Sequence, residues 1–544
     1  MTSLNPVTTV TSAVRLHHLV LLASPVAFGI WSLHLGQDTN WDLRNYHWYT
    51  SYALLHGRVG LDEAPAGSQT FYSPLLDLPW YGLAHWLPAP AVGFIIGAVQ
   101  SANFVLLLGL GKALIPIDRP VERAIVVLLT AITGICGGVV ATEGTTFNDA
   151  IDSIGVLGSL LLVVRSWPSL LRLPWRDAVL RALLAGFPVG VAVAGKYSIG
   201  PFAVGLMLAF LVAPCPWSRR LGLAAGFGTG VIAVVAILLG PWLLQVWRQT
   251  GNPISPYLND VFHSPLTTAD SHWLSSYRPQ SLAEVLFLPL RIAGVGRHII
   301  EMPFRDLRVA AAYLLVPALI ILAACQRSGR PAPSRSDHRY FFAAMALSYV
   351  CWMALFSYYR YLTPLEMLAP LMIVVAILRV QLARWWLHLA TAAILVALIA
   401  TSRPADYGHV AWGARFVEVD VPVLARPDSS VVMLVGRPAA FIIPSFPPAV
   451  RFLQLGPEFT DGGDPTSPWH RRMQGLIDAH GGDFYAIAIG KGSLSPSRDR
   501  LASYGLILSE DGCRPLETNL SRFPDDNLRF CSVARRAGAA LDPS

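Results

Sequence analysis

The sequence predicts a mainly α-helical, polytopic membrane protein: a transmembrane helix bundle of about eleven spans with a small C-terminal extramembrane α/β domain. Hydrophobic residues make up 53% of the 544 residues and charged residues only 14%, whereas a soluble domain carries about 25% charged residues. Apolar runs of about 20 residues, long enough to cross a bilayer, recur along most of the chain. This composition excludes an ordinary soluble enzyme, a disordered chain and a small disulfide-rich scaffold.

The apolar runs define the predicted spans. The first run, at about 16–35, is longer than a signal-peptide core and lacks a convincing cleavage site, so we expect a retained anchor. The further runs lie near 90–115, 124–142, 150–166, 179–195, 197–213, 221–246, 309–325, 340–357, 363–380 and 386–402.

The arginines set the expected orientation. If the N-terminus is cytoplasmic, every inner loop is basic, as the positive-inside rule requires, and the short outer loops carry hardly any cations. We therefore expect a multi-pass protein of a bacterial inner membrane whose C-terminal domain is periplasmic or extracellular. Because the basic residues behind the net charge of +7 lie mainly in the inner loops, we expect no nucleic-acid partner.

The chain divides into two predicted parts. Residues 1–402 form the membrane domain, with two long outer loops at about 36–89 and 247–308, and loops of this length are usually functional. In residues 403–544, short β-rich runs alternate with a helical segment, which is typical of an α/β domain. Cys513 and Cys531 both fall there and predict a disulfide in an oxidising compartment, two buried free thiols being the alternative.

The first long loop begins with a cluster of polar and aromatic residues. From Asp42 onward the pattern fits a helix that places Asp42, Tyr46 and Tyr49 on one face, and we expect this amphipathic helix to lie on the membrane surface. Asp42 is the candidate general base, with Asp38, Tyr46 and His47 beside it as candidate substrate-binding residues. A helix N-cap is the alternative role for the aspartate.

A second acidic cluster lies between the third and fourth predicted spans. Asp149 and Asp152 are one helical turn apart, directly after Asn148. Such carboxylates can bind an acceptor hydroxyl or a divalent cation, so Asp149 is a candidate catalytic residue and the other two are candidate substrate ligands. Acids at a helix N-terminus also stabilise the helix dipole, which is the alternative explanation.

The third group is cationic. Lys196 and Arg360 are the charges that break the positive-inside pattern in short outer loops, and both are flanked by tyrosines. Cations at headgroup depth suit an anionic phosphate, while snorkelling to lipid headgroups is the alternative. Arg248, at the start of the second long loop, is a further candidate substrate ligand in the same plane.

Together these segments resemble the integral-membrane glycosyltransferases of the type C superfamily. The resemblance covers roughly residues 14–402 and rests on an ordered set of motifs: Asp42-x-x-x-Tyr46-His47-x-Tyr49, Leu55-His-Gly57-Arg58, Asn148-Asp149, Gly195-Lys196-Tyr197, Gly251-Asn252-Pro253 and Arg360-Tyr361-x-x-Pro364. Members use polyprenyl-phosphate sugars as donors at the outer face of the membrane. The resemblance therefore implies membrane lipids as surroundings, a lipid-phosphate sugar as donor and a glycan, lipid or protein as acceptor.

The resemblance also implies residue roles. Asp42 would deprotonate or orient the acceptor, Asp149 would be the second acid, and Lys196 and Arg360 would bind the lipid phosphate. The acidic pair common in the first loop is not intact here, because Leu43 follows Asp42; Asp38, one turn earlier, is a substitute. No cofactor is therefore certain: a divalent cation, Mg²⁺ or Mn²⁺, stays open, with Asp42 and Asp149 as its ligands.

Two other functions fit the composition. A transporter or flippase of a lipid-linked or charged solute predicts ionisable groups near the bilayer midplane, whereas the middles of these runs are almost free of charge. A non-catalytic scaffold that presents the C-terminal domain leaves the outer-face acids unexplained.

Overall fold

Helices form in every predicted apolar run. In the computed structural model the structure describes residues 22–117, 119–269, 277–294, 300–326, 335–381, 383–460, 464–489, 494–521 and 528–536, so the start of the first run lies outside the described residues. The helices are α1 Leu22–Leu35, α2 Trp48–Leu55, α3 Leu78–Ala84, α4 Ala89–Gln100, α5 Ala102–Leu114, α6 Pro120–Gly134, α7 Gly137–Thr142, α8 Asp149–Arg172, α9 Trp175–Gly195, α10 Gly200–Leu208, α11 Trp217–Leu238, α12 Gly240–Thr250, α13 Asn259–Phe262, α14 Leu282–Ile292, α15 Arg308–Cys325, α16 Ser336–Leu355, α17 Thr363–Ile377 and α18 Arg384–Thr401.

The chain is a multi-pass membrane protein. Within the described residues, six helical segments are long and apolar enough to cross a bilayer: Ala89–Leu114, Asp149–Arg172, Trp175–Gly195, Trp217–Leu238, Arg308–Cys325 and Tyr359–Ile377. Shorter apolar helices accompany them at Leu22–Leu35, Tyr197–Val212 and Trp385–Thr401.

Three predicted runs are each divided into two helices, and the run at 90–115 is divided at Ser101, between α4 and α5. The run at 221–246 is broken between α11 and α12 at Leu239, because Pro241 has no N–H to donate to the preceding turn. The run at 124–142 is broken between α6 and α7, where Ile135 and Cys136 leave the helical conformation ahead of two glycines.

Small residues allow α9 to pack closely against its neighbours. A Cβ at Gly186 would lie 2.4 Å from the carbonyl oxygen of Phe227, and one at Gly230 would lie 2.1 Å from that of Leu183. On the other side of α9, a Cβ at Gly155 of α8 would lie 2.4 Å from Pro188 O. Close backbone approach through glycine is a usual device for packing transmembrane helices, and here it fixes α8, α9 and α11 as one unit.

The C-terminal domain is an α/β unit built on a six-stranded sheet. Its strands are β3 Ser430–Val435, β4 Arg451–Gln454, β5 Asp483–Ile489, β6 Leu506–Leu508, β7 Arg514–Leu516 and β8 Leu528–Arg535, with helices α19 Pro468–Ala479 and α20 Ser495–Ala502. The strand order is β4-β3-β5-β8-β6, with β7 also paired to β8. Strand β3 is parallel to β4 and β5, while β8 runs antiparallel to β5. Cys513 is bonded to Cys531 on β8.

A short two-stranded sheet ties the C-terminal segment to the first loop. Strand β1, Gln37–Asp38, pairs antiparallel with β2, His409–Val410. We call the end of the bundle where α1 and α18 lead into these two strands the domain end.

The first long loop is enclosed between the bundle and the C-terminal domain. Tyr46, Trp48 and Tyr49 share one hydrophobic core with Phe441 and Val432 of the domain. The aromatic faces of the helix after Asp42 are therefore covered by protein, and its position at the membrane surface stays a prediction. The bulky aromatic residues on more than one side of this segment are covered by the domain instead of by lipid.

Polar contacts fix the domain on this loop. Glu63 N donates to Phe452 O at 2.9 Å, and Gln454 N donates to Glu63 O at 3.0 Å, so the loop extends the sheet beyond β4. Arg58 is buried, pairs with Asp62 at 2.6 Å and donates to Val450 O at 2.5 Å. The loop and the domain therefore form one folded body above the bundle.

Candidate functional site

A cavity of about 1240 Å³ opens at the domain end, between the bundle, the first loop and the C-terminal segment. Six of the residues singled out in the sequence line it: Asp42, Tyr46, His47, Asn148, Lys196 and Arg360. Residues separated by more than 300 positions are thus brought to one cavity. Much of the remaining wall is apolar or aromatic, and includes Pro201, Met302, Leu355, Phe356 and Tyr361.

A π-helical turn shapes the first-loop side of the cavity. Leu43–His47 is π-helical and begins directly after Asp42. Hydrogen bonds in a π-helix join residues five apart, and such turns occur often at functional sites. The wide turn lets Asp42, Tyr46 and His47 share the cavity wall, whereas Tyr49 turns away and donates to Asp62 at 3.1 Å. The expected α-helical spacing was wrong for Tyr49.

Arg360 is surrounded by carboxylates and rings. Its Nη2 lies 3.0 Å from Asp42 Oδ2 and 3.8 Å from Glu301 Oε1, and its Nε lies 3.8 Å from Asp149 Oδ2. The guanidinium also stacks over the Phe147 ring, 4.0 Å from its centroid, which is a cation–π contact. The short turn Tyr359–Leu362 at the start of α17 holds this buried cation at the cavity.

Lys196 supplies the second cation. It follows the last residue of α9 and its Nζ lies 2.6 Å from Asp149 Oδ1. The ammonium also lies 5.0 Å from the centre of the Tyr361 ring. Asp149, in the first turn of α8, thus contacts both cations and holds them beside each other.

Asp77 organises the opposite side of the first loop, although no sequence pattern had pointed to it. Its Oδ2 lies 2.8 Å from His47 Nδ1, and its Oδ1 accepts from Asn148 Nδ2 at 3.1 Å and from Trp80 Nε1 at 3.3 Å. Asp77 is fully buried. It stands outside any motif in a Pro-rich part of the loop, and only the three-dimensional contacts connect it with His47 and Asn148.

The second long loop and the C-terminal segment supply further cavity residues that sequence reasoning missed. Glu301 faces Arg360, and Asp406 and Tyr407 line the wall after α18. The Tyr407 ring packs against Phe147 at 4.7 Å between centroids. The sequence did contain a signal for Tyr407, because this tyrosine closely follows the last apolar run.

Several candidates are placed away from the cavity surface. Asp38 is buried and accepts from Asn40 and from both Thr146 N and Thr146 Oγ1, at 2.7–2.9 Å. It therefore joins the first loop to the segment before α8 instead of facing a substrate. Arg248, near the end of α12, is exposed and does not line the cavity.

Asp149 and Asp152 lie behind the cavity wall. Asp149 reaches the cavity only through Lys196 and Arg360, which makes it a positioning residue in this geometry. Asp152 is buried one turn further along α8, and neither of its carboxylate oxygens has a hydrogen-bond partner among the residues that the structure describes. Neither residue lines the cavity, and direct contact with a substrate stays a prediction for both.

Burial controls the protonation of the groups outside the spans. Burial raises the pKa of Tyr46 well above its usual range, and the nearby Asp42 and Asp77 raise it further. Burial likewise raises the pKa of Tyr407 and, against the opposing effect of Arg360, that of Glu301. Both tyrosines therefore stay neutral hydrogen-bond donors, and Glu301 takes up a proton at a higher pH than an exposed glutamate does.

The acids do not assemble a metal site. Across the described part of the chain, no three His, Cys, Asp or Glu side chains are close enough to hold one ion. Asp42 and Asp149 are the two candidate metal ligands named from the sequence, and each forms an ion pair with a basic side chain. A divalent cation bound by either acid would have to exchange with these basic side chains.

Comparisons with known proteins give little beyond this geometry. No family model matches the chain, and no curated protein matches it. A solved structure that resembles it is the apo form of the oligosaccharyltransferase of Archaeoglobus fulgidus, with 11% sequence identity and a TM-score of 0.46. The match covers 89% of this chain and 71% of that one.

Proposed function

We propose that this chain is a membrane glycosyltransferase that moves a sugar from a polyprenyl-phosphate donor to an acceptor hydroxyl. The observation that carries the proposal is the shared ion-pair network of Arg360, Lys196, Asp42 and Asp149 at one cavity at the domain end of a transmembrane bundle. Two cations can bind a phosphate, a carboxylate can accept a hydrogen bond from a hydroxyl, and a transmembrane bundle can accommodate a lipid tail.

Lys196 and Arg360 are the proposed phosphate ligands. Arg360 can bind phosphate oxygens through two N–H groups while Lys196 acts as a point charge. As the glycosidic bond breaks, negative charge builds up on the leaving phosphate, and fixed cations at that point lower the barrier. The apolar wall formed by Pro201, Leu355 and Phe356 suits the polyprenyl chain next to its headgroup.

Asp42 is the proposed ligand of the acceptor hydroxyl. Arg360 engages its Oδ2, so Oδ1 is the oxygen that can accept a hydrogen bond from a hydroxyl. Because only Asp42 is assigned to the reacting carbon, and no carboxylate is assigned the role of nucleophile, we expect a single displacement with inversion, as in the corresponding class of glycosidases. A glycan, a lipid or a protein could supply the hydroxyl, with the C-terminal domain above the cavity as the surface that the rest of the acceptor contacts.

The orientation belongs to the same proposal. The basic loops of the chain favour a cytoplasmic N-terminus, which puts the domain end and its cavity on the periplasmic or extracellular side, as for a bacterial inner-membrane protein. A donor attached to a lipid then reaches the cavity from within the membrane, and the acceptor reaches it from the cell envelope.

The experiment that tests the function uses purified protein in lipid nanodiscs. Each member of a panel of polyprenyl-phosphate sugars is added, and loss of sugar from the lipid is followed by mass spectrometry. We expect turnover with at least one donor, and Asp42→Asn should lower the rate by about 10²–10⁴-fold. Asp260→Asn, a carboxylate change at an exposed site of the second loop, is the matched control. Equal rates for both variants, or no turnover with any donor, would reject the proposal.

A further inference from the structure

His47 and Asp77 form a dyad at the cavity that the proposed roles of Asp42, Lys196 and Arg360 leave unused. The 2.8 Å contact joins His47 Nδ1 to Asp77 Oδ2. The other oxygen of Asp77 accepts from Asn148 and from the Trp80 indole, two groups that here can only donate. An aspartate whose Oδ1 accepts from two N–H groups is best accommodated as a carboxylate, which can only accept, so Nδ1 of His47 carries the proton in the contact with Oδ2.

This contact fixes the chemistry of the other ring nitrogen. In the neutral ring, Nε2 then carries a lone pair. Nε2 is buried and, within the described part of the chain, has no hydrogen-bond partner, although His47 lines the cavity. A buried nitrogen without a partner costs free energy, and a ligand in the cavity is the partner that removes this cost.

We infer that His47 is a catalytic residue whose Nε2 accepts the proton of the attacking hydroxyl, with Asp77 as its positioning residue and with Asp42 orienting the acceptor through another donor group. The inference rests on the proposed glycosyl transfer. In this step the hydroxyl oxygen forms a bond to the anomeric carbon, the bond from that carbon to the phosphate oxygen breaks, and the phosphate leaves with the electron pair. The hydroxyl proton passes to Nε2, and Asp77 stabilises the resulting imidazolium.

The surroundings support this assignment over Asp42. Asp42 is already engaged by Arg360, whereas Nε2 is unoccupied. The Tyr46 ring packs against the imidazole, with 4.1 Å between ring centroids and 35° between the ring planes, and restricts its rotation. The other charged side chains that line the cavity are Asp42, Arg44, Lys196, Glu301, Arg360 and Asp406.

The first test needs no substrate. The protein is labelled with ¹⁵N-histidine, and the His47 signal is identified at neutral pH as the one that is lost in the spectrum of His47→Gln. This signal should be that of an imidazole protonated at Nδ1. In Asp77→Asn, the His47 ring should become a mixture of tautomers. His85→Gln, at a histidine next to α3 that does not line the cavity, should leave that signal in place. An imidazole at His47 that is protonated at Nε2 would overturn the inference.

The second test uses a donor and acceptor for which transfer has been found. The wild-type rate should rise with pH, because only a neutral imidazole can accept the hydroxyl proton. His47→Gln should lower the rate by about 10²–10⁴-fold and remove that rise, and Asp77→Asn should lower kcat more than it changes KM. An unchanged pH profile in His47→Gln would overturn the inference. Absence of transfer with every donor would overturn the proposed function, and the NMR result would still decide the state of His47.

Discussion

Arg360 Nη2 and Asp42 Oδ2 lie 3.0 Å apart, although the two residues are 318 positions apart in the sequence. The contact links the start of α17 to the π-helical turn of the first loop. Arg360 is shared with Asp149 and Glu301, so an incoming phosphate must exchange with carboxylates that already surround the guanidinium. Arg360 therefore couples donor binding to the availability of Asp42 for a hydrogen bond with a hydroxyl.

The transfer rate is expected to depend on the geometry of the Arg360 guanidinium as well as on its charge. Arg360→Lys keeps the charge but cannot reach Asp42, Asp149 and a phosphate together. We predict a fall in transfer rate of about 10²–10³-fold, measured by donor consumption. Arg248→Lys is the matched change at an exposed position outside the cavity and should stay near wild type. A comparable loss in both variants would show that the cavity does not define the site.

Donor binding is expected to weaken as Glu301 loses its proton. Burial raises the pKa of Glu301, so the residue is neutral below that pKa and becomes a competing anion beside Arg360 above it. Affinity for the polyprenyl-phosphate sugar should therefore fall as the pH rises through that pKa, and Glu301→Gln should bind more tightly and lose this part of the dependence. Isothermal titration in nanodiscs measures it. A steeper fall in the glutamine variant would contradict the assignment.

The packing of the C-terminal domain against the first loop is expected to depend on Gly67. Its φ is +65°, and a Cβ there would lie 2.2 Å from Glu458 Oε2. Gly67→Ala should lower the thermal midpoint, since the left-handed conformation alone costs about 1–2 kcal/mol. Gly475→Ala, within α19 and with nothing near its Cβ, should raise stability by about 1 kcal/mol. Thermal unfolding followed by tryptophan fluorescence distinguishes the two, and a stable Gly67→Ala protein would argue against this docked arrangement.

The proposed orientation has a chemical test at the disulfide. Cys513 and Cys531 are bonded to each other in the C-terminal domain. A maleimide that cannot cross membranes, added to spheroplasts, should label these two cysteines only after reduction. A Cys513→Ser, Cys531→Ser double variant should not gain that label. Labelling that requires permeabilised membranes would place the domain in the cytoplasm and reverse the proposed topology.

Hydrophobicity predicts the helices of this protein well because a bilayer imposes length and composition on each span. The runs that became α8, α9 and α15 show this directly. The fold of residues 43–55 could not be predicted in the same way. Its aromatic residues look amphipathic in the sequence, and only the tertiary fold shows that Phe441 and its neighbours cover them.

Site residues could be predicted from the sequence where a charge occurs in an unusual position. They could not be predicted where the role of a residue depends on long-range contacts. Lys196 and Arg360 stood out because cations are unusual in short outer loops, and both line the cavity. Asp38 was predicted to bind substrate beside Asp42, yet its carboxylate accepts hydrogen bonds from Thr146 and Asn40. Asp77 had no local signal, since its importance arises from what it contacts.

The most direct measurement is a cryo-EM structure of the protein in nanodiscs with a polyprenyl-phosphonate sugar, a donor analogue that cannot transfer its sugar. We predict phosphonate density within hydrogen-bonding distance of Arg360 and Lys196, the anomeric carbon facing Asp42, and the lipid tail passing Leu355 and Phe356 into the membrane. Density for the analogue at any other surface, with this cavity empty and Arg360 still bound to Asp42, would contradict the proposed site.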